Sequence, residues 1–214
     1  MSRLLKLDMH VHTSFSHDGT ASPRSVVERA REIGLDGIAI TDHNTQKGVR
    51  EAVEAGRELD VIVIPGVEVS CREGHVLVYG CQELPFHGGQ GVSELLEDVE
   101  RLGLLAAPAH PFDLYRSGMG WKALLFDFHA VETVNAHSPL PRAVVAPLAR
   151  RLHASELGGS DAHRLRSVGR GLTIVREGGE ILEEVRRWSR AVGKFDIFDL
   201  LPRLNPFPRL VGRN

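Results

Sequence analysis

The chain has only two cysteines, Cys71 and Cys81, in 214 residues. That excludes a disulfide-stapled scaffold and points to a reducing, cytoplasmic setting. Net charge is also scarce, because 26 basic residues against 28 acidic ones leave −2. No overall field demands a nucleic acid or an anionic membrane as partner. Tight binding of long nucleic acid, which rests on many cationic contacts to phosphate, is not expected. No apolar run approaches the roughly 20 residues that cross a bilayer. The stretch from Met1 to His12 lacks the apolar core and small-residue cleavage site of a secretion signal. Repeats, low-complexity segments and obvious linkers are missing too. The 214 residues therefore read as one domain with a sizeable core. What the chain has in quantity is histidine, 11 in all, so position must decide whether the number matters.

Short apolar runs alternate with helical patterns. Leu4–Val11, Gly37–Thr41, Val61–Ile64, Val76–Tyr79, Leu104–Ala107, Ala130–Val134, Ser155–Gly158 and Leu172–Val175 read as strands. Ser22 suits an N-cap and Pro23 the first position of a helix whose Val26, Val27, Ala30 and Ile33 share a face, with Gly34 as its stop. Helical spacing recurs at Val49, Ala52, Val53 and Gly56, at Val92, Leu95, Leu96, Val99 and Leu102, and over Ile181–Val192. Strands that are apolar throughout, each followed by an amphipathic helix, predict parallel strands buried on both faces. Seven or eight such units predict a compact α/β barrel, with an open doubly wound sheet as the alternative. The tail from Phe195 to Asn214 is rich in Phe, Leu and Pro without a period; it is expected to dock on the barrel or meet another chain.

The first strand ends in Asp8-Met9-His10-Val11-His12-Thr13. Histidines at i and i+2 of a strand share a face, so both imidazoles can reach one metal ion. Asp18 follows in the loop Ser16-His17-Asp18-Gly19. The second strand runs into Thr41-Asp42-His43-Asn44, the third ends in Pro65-Gly66-Val67-Glu68, the fifth leads into Ala109-His110-Pro111, and the seventh into Gly159-Ser160-Asp161-Ala162-His163. In a barrel, strand C-termini converge on one mouth, where active sites sit. His75 is the exception, because it begins its strand. Imidazole suits Zn, Mn and Fe, and carboxylates can bridge ions. Nine such side chains exceed the needs of one ion, so two or three divalent ions are expected. Clustered ions can hold an anionic substrate between them.

The blocks DMHVHTSFSHDG, TDHN, GVE, GHVLVYG, AHP and GSDAH, in this order, resemble the PHP (polymerase and histidinol phosphatase) family of metal-dependent phosphoesterases. The resemblance implies a distorted (β/α)7 TIM-like barrel with a two- or three-metal site at the C-terminal face. It implies that His10, His12, Glu68 and Asp161 hold one ion. Glu68 then bridges to a second, completed by His75 and His110, and Asp18, His43 and His163 hold a third. Some relatives have His where this chain has Asp18; Asp is an acceptable hard ligand there, and His17 is the adjacent substitute.

The expected activity is metal-dependent hydrolysis of phosphate esters, monoester or diester, on a small molecule or nucleotide. A metal-bridging hydroxide would attack phosphorus in line. Glu68, Asp161, His43 and His163 are the candidate catalytic residues. Arg116, Arg164, Arg166 and Asn135 are the candidate substrate-binding residues, since arginine forks match phosphate oxygens. Asn135 is equally a candidate for support, and Glu132 and His137 are candidates for support or substrate contact. Asp42 either orients a ligand histidine or caps a helix. His87, His129 and His153 read as surface or packing histidines, and the two cysteines as small hydrophobes rather than zinc ligands. The stretch from His75 to His110 is too short for an inserted cap domain, which predicts an open mouth, and the chain is too short to include a polymerase. Two other readings stay open: amide hydrolysis, since such a hydroxide also attacks carbonyl carbon, and a non-catalytic scaffold or ribonucleoprotein subunit on the same fold.

Overall fold

A computed structural model describes residues 3–193 except 82 and 84. The first helix, α1 (Pro23–Glu32), starts as the sequence dictates: the Ser22 hydroxyl accepts from the Ser25 N–H at 3.2 Å and Pro23 takes the first turn. Its buried Val26, Val27 and Ala30 pack with Val49, Ala52 and Ala55 of α2 (Val49–Leu59) over Ile38 and Ile40 of β2 (Gly37–Ile40). Beyond β2 come β3 (Ile62–Ser70), β4 (His75–Tyr79), α3 (Val92–Arg101) and β5 (Leu105–Pro108). Then follow β6 (Ala130–Asn135), α4 (Arg142–Leu152), β7 (Ser155–Gly159), β8 (Gly171–Arg176), α5 (Ile181–Arg187) and β9 (Ser189–Gly193).

With β1 (Leu4–Val11), seven strands form one sheet in the order β5-β4-β3-β2-β1-β8-β9, and β6 and β7 form a separate parallel pair. The sheet curls into a distorted α/β barrel, and the pair spans its gap. On one side His129 N donates to Ala106 O at 3.2 Å. On the other, Asp161 N donates to His10 O at 2.7 Å and His12 N to Ala162 O at 2.9 Å. The edge of β1 is thus shared: Leu4–Leu7 pair with β8, and the end at the mouth pairs with the chain leaving β7. Leu7, Met9, Ile64, Leu77, Tyr79, Leu105 and Leu157 form the apolar cluster beneath the mouth.

The all-parallel expectation is corrected. β1–β2, β2–β3 and β6–β7 are parallel, whereas β3–β4, β4–β5, β1–β8 and β8–β9 are antiparallel. An apolar run reports burial on both faces and carries no direction. The reversal of β4 explains His75: it opens its strand at the mouth, paired with Ser70. Glu68 lies inside β3, two residues before its end, rather than at a strand terminus. Helices do not follow every strand. β3 turns directly into β4, and short 3₁₀ turns at Leu114–Arg116, Gly120–Leu125 and Leu165–Ser167 follow β5 and β7. The helix expected over 181–192 stops at Arg187, because the free edge of β8 recruits β9, with Ser189 and Ala191 buried and Arg190 exposed between them. The tail from Phe195 lies outside the described residues. Among those described, no helix is long and apolar enough to cross a membrane.

Two register slips turn side chains into the mouth. On β1 the pairing passes from Asp8↔Ile38 to Val11↔Ile40, three residues against two. Such a bulge reverses alternation, so Leu7 and Met9 join the inner cluster while His10 and His12 also meet Glu68. On β6 a slip between Glu132 and Val134 lets Glu132 and Asn135, three apart, face the same site.

Asp8 ties this closure together. It is fully buried; its Oδ1 accepts from Ser160 N and its Oδ2 from Gly169 N, each at 2.8 Å. Burial pushes its pKa up to about 6 despite these donors. Asp8→Ala strands the Ser160 and Gly169 N–H groups, and each unpaired group costs about 1–3 kcal/mol, so urea unfolding is expected to register a loss of about 2–6 kcal/mol. A loss below about 0.5 kcal/mol would show that water replaces the carboxylate without penalty.

Candidate metal centre

Glu68 is 1% exposed, and five imidazoles face it. Its Oε2 lies 3.3 Å from His10 Nε2, 3.3 Å from His12 Nε2 and 3.1 Å from His43 Nδ1. Its Oε1 lies 2.9 Å from His75 Nδ1 and 3.1 Å from His110 Nε2. Asp161 Oδ1 stands 3.3 Å from His12 Nε2 and 3.6 Å from His10 Nε2. Towards solvent, Asp18 Oδ2 lies 3.1 Å from His163 Nε2 and 3.6 Å from His43 Nε2. All nine residues expected to ligate metal thus meet at one mouth. His17, 3.8 Å from Asp18, has its side chain 78% exposed and falls outside these groups of donors.

The donor set fits divalent ions. His10, His12 and Asp161 each offer an atom within 4.8 Å of the others, as do His43, Glu68 and His75, and likewise His12, Asp18, His43 and His163. Asp161 Oδ1 is buried without a hydrogen-bond partner, which an ion would supply. Asp161 and His110 both hold left-handed backbone, φ 52° and 28°. Non-glycine residues there carry strain that functional sites retain.

A polar scaffold stands behind the donors. Glu132 Oε1 meets His10 Nδ1 at 2.8 Å, and its Oε2 accepts from His110 N at 2.6 Å. Ser16 Oγ meets His12 Nδ1 at 3.0 Å, accepts from His43 N at 3.0 Å and donates to Asp42 Oδ1 at 2.7 Å. Asp42 also accepts from the N–H and hydroxyl of Thr13. It therefore neither touches a histidine nor caps a helix, since Gly48 occupies the N-cap of α2. Of the two roles open to Asn135, support or substrate contact, its hydrogen bonds are those of support. It is 6% exposed, its amide nitrogen donates to Glu132 and Asp161, and its oxygen accepts from His137 N and Ser138 N. No part of the amide is left for a substrate.

Burial opposes every charge here, and neighbours decide the outcome. Against burial, His10, with hydrogen bonds from His10, His110 and His12, holds the Glu68 carboxyl well below the usual range. His10 and His12 do the same for Asp161. Against burial again, Asp161 and Glu68 raise His12 to about 9. Burial prevails at His43, lowered to about 4.

Above the donors opens a cleft of about 1280 Å³, lined among others by Lys47, Arg116, Arg164, Arg166 and Arg170. Arg116 is half-buried, ion-paired with Asp161 Oδ2 and 3.4 Å from the Asn135 oxygen. Arg164 and Arg166 are exposed on the 3₁₀ turn after β7. Lys47, Arg170 and Ser16 join the site without a motif of their own in the sequence. Lys47 was detectable, because it follows the end of β2 in the same loop as His43.

Residues 8–133 match the family model described as the PHP domain, and residues 143–188 the one described as PHP-associated. The chain belongs to the PHP family. An uncharacterized protein of Methanocaldococcus jannaschii is 29% identical over 144 residues, 62% of this chain and 83% of that protein. A phosphoribosyl 1,2-cyclic phosphate 1,2-diphosphodiesterase of Eggerthella lenta is 38% identical over 82 residues, 36% of this chain but 31% of its own length. Among solved structures, a two-domain protein from Bacteroides vulgatus, containing a predicted PHP-like metal-dependent phosphoesterase, superposes with TM-score 0.75 at 20% identity, over 90% of this chain and 65% of that one. The chain thus has the fold of PHP metal-dependent phosphoesterases, a family that implies divalent metals.

Gly159 sets how closely β7 approaches the centre. A Cβ there would lie 2.3 Å from His10 Cβ and 2.8 Å from Glu132 Oε1. Gly159→Ala is expected to displace His10 and weaken cobalt binding, measured by titration of the purified variant. Unchanged affinity and stability would show that β7 can withdraw at no cost.

Proposed function

We propose that this chain hydrolyses phosphate esters of a small molecule or nucleotide, using two or three divalent ions (Zn, Mn or Fe) in the cytoplasm. The observation that carries this reading is the convergence of nine His, Asp and Glu donors beneath a rim of five cationic side chains. The free, half-buried Cys71 and Cys81 support a reducing compartment. His10, His12, Glu68 and Asp161 would hold one ion. Glu68 would bridge to a second with His75 and His110, and Asp18, His43 and His163 would hold a third. When bound, such ions lower the pKa of water and neutralise phosphate oxygens.

Among the candidate catalytic groups, Glu68 and Asp161 keep their charge in the buried floor. His43 and His163 stand closer to the cleft. Asp161 divides its carboxylate: Oδ2 serves Arg116 and Asn135, and Oδ1 turns to the histidines. Arg116, Arg164 and Arg166, with Lys47 and Arg170, raise the positive potential at the mouth and draw an anion in. That rim favours a phosphate ester over a neutral amide. No membrane and no long nucleic acid is required as partner.

The test is metal analysis of the purified chain together with a screen of p-nitrophenyl phosphate, bis(p-nitrophenyl) phosphate, a ribose cyclic phosphate and an anilide, with Mn²⁺ or Zn²⁺ added. Hydrolysis of a phosphate ester that EDTA abolishes is expected. No bound metal and no phosphatase activity would overturn the proposal. Glu68→Ala should lose two ions together, whereas His163→Ala should lose mainly one, as read by metal stoichiometry. The double change Arg164→Glu with Arg166→Glu should raise KM for the ester about tenfold with kcat nearly kept, because steering precedes chemistry. A neutral amide substrate should not respond.

A further inference from the structure

We infer that Glu132 is a positioning residue that sets both the imidazole tautomer of His10 and the place of His110, and that only a carboxylate can do both. The inference rests on the proposed metal roles of those two histidines. Glu132 is 1% exposed and does not itself line the cleft. Its Oε1 lies 2.8 Å from His10 Nδ1. Its Oε2 accepts from His110 N at 2.6 Å and from Asn135 Nδ2 at 3.1 Å.

For His10 to offer a lone pair at Nε2 towards Glu68 and Asp161, its proton must sit on Nδ1. Glu132 then faces three donors: the His10 Nδ1–H, the His110 backbone N–H and the Asn135 amide. Both of its oxygens must accept. A glutamine of the same size has one oxygen and one NH₂ group. With the NH₂ beside His10, it would stabilise the tautomer whose proton points at the donor cluster. With the NH₂ on the other side, it would face two N–H donors. Neither orientation satisfies the site. The His110 ring meets Glu68 through Nε2 while its Nδ1 has no hydrogen-bond partner, so the backbone N–H bond to Glu132, at the strained φ of 28°, is what holds the residue from behind the site. One carboxylate therefore reaches a histidine of each of the two ions that Glu68 would bridge.

The test compares the wild-type chain with Glu132→Gln and Glu132→Asp by cobalt titration, with stability of the metal-free forms measured alongside. Loss of such an outer partner typically weakens metal affinity about 10–100-fold. We expect that loss in Glu132→Gln at two sites, with metal-free stability close to wild type, and partial recovery in Glu132→Asp. Equal cobalt affinity in wild type and Glu132→Gln would overturn the inference. A second measurement does not depend on any variant folding: ¹⁵N NMR of the zinc-loaded wild type should show His10 protonated at Nδ1 and ligating through Nε2. Ligation through Nδ1 would overturn it equally. A wild-type chain that binds neither cobalt nor zinc would instead overturn the metal reading itself.

Discussion

The rest of the mouth depends on one buried carboxylate. Glu68 keeps its charge inside the barrel, and an unpaired charge there would be prohibitive. Five imidazoles from four separate stretches of chain surround it: His10 and His12 at the bulged end of β1, His43 after β2, His75 at the start of β4 and His110 after β5. Because both oxygens are shared, none of these segments can move without leaving part of the charge unmatched. This gives the apolar barrel below a reason to close to one geometry.

Closure is irregular, and its irregularities lie at the site. A strictly alternating β1 could not send Leu7 and Met9 into the inner cluster and also aim His10 and His12 at Glu68. The one-residue slip permits both. The slip in β6 lets Glu132 and Asn135 share a face although they stand three apart. The pair β6–β7 hydrogen-bonds to the mouth end of β1, and Gly159 allows that approach because a side chain would strike His10. The departures from a regular barrel therefore match the places where polar groups must converge.

Much of this was legible from residue order. The strand positions, the Ser22-Pro23 helix start and the clustering of His, Asp and Glu at strand ends follow from local patterns. Strand direction did not, because apolar runs report burial and not polarity of the chain. His75 opens its strand yet stands at the mouth for that reason alone. Asn135 ends its strand at the mouth, where support and substrate contact look alike along the chain; only its hydrogen bonds to Glu132 and Asp161 show the supporting role. Lys47 shares the loop after β2 with His43, whereas Arg170 carries no local pattern that separates it from a solvated surface cation.

By itself, then, the sequence determined which residue types stand at the strand ends, the α/β alternation and the family. Those depend on spacing along the chain. Only the tertiary structure decided which strands reverse, where the register slips, that helical spacing after Arg187 yields to a strand on β8, and which polar groups remain free once neighbours have claimed their hydrogen bonds. Those outcomes depend on pairing between segments distant in sequence, where sheet edges and buried charges compete for partners that no local pattern records.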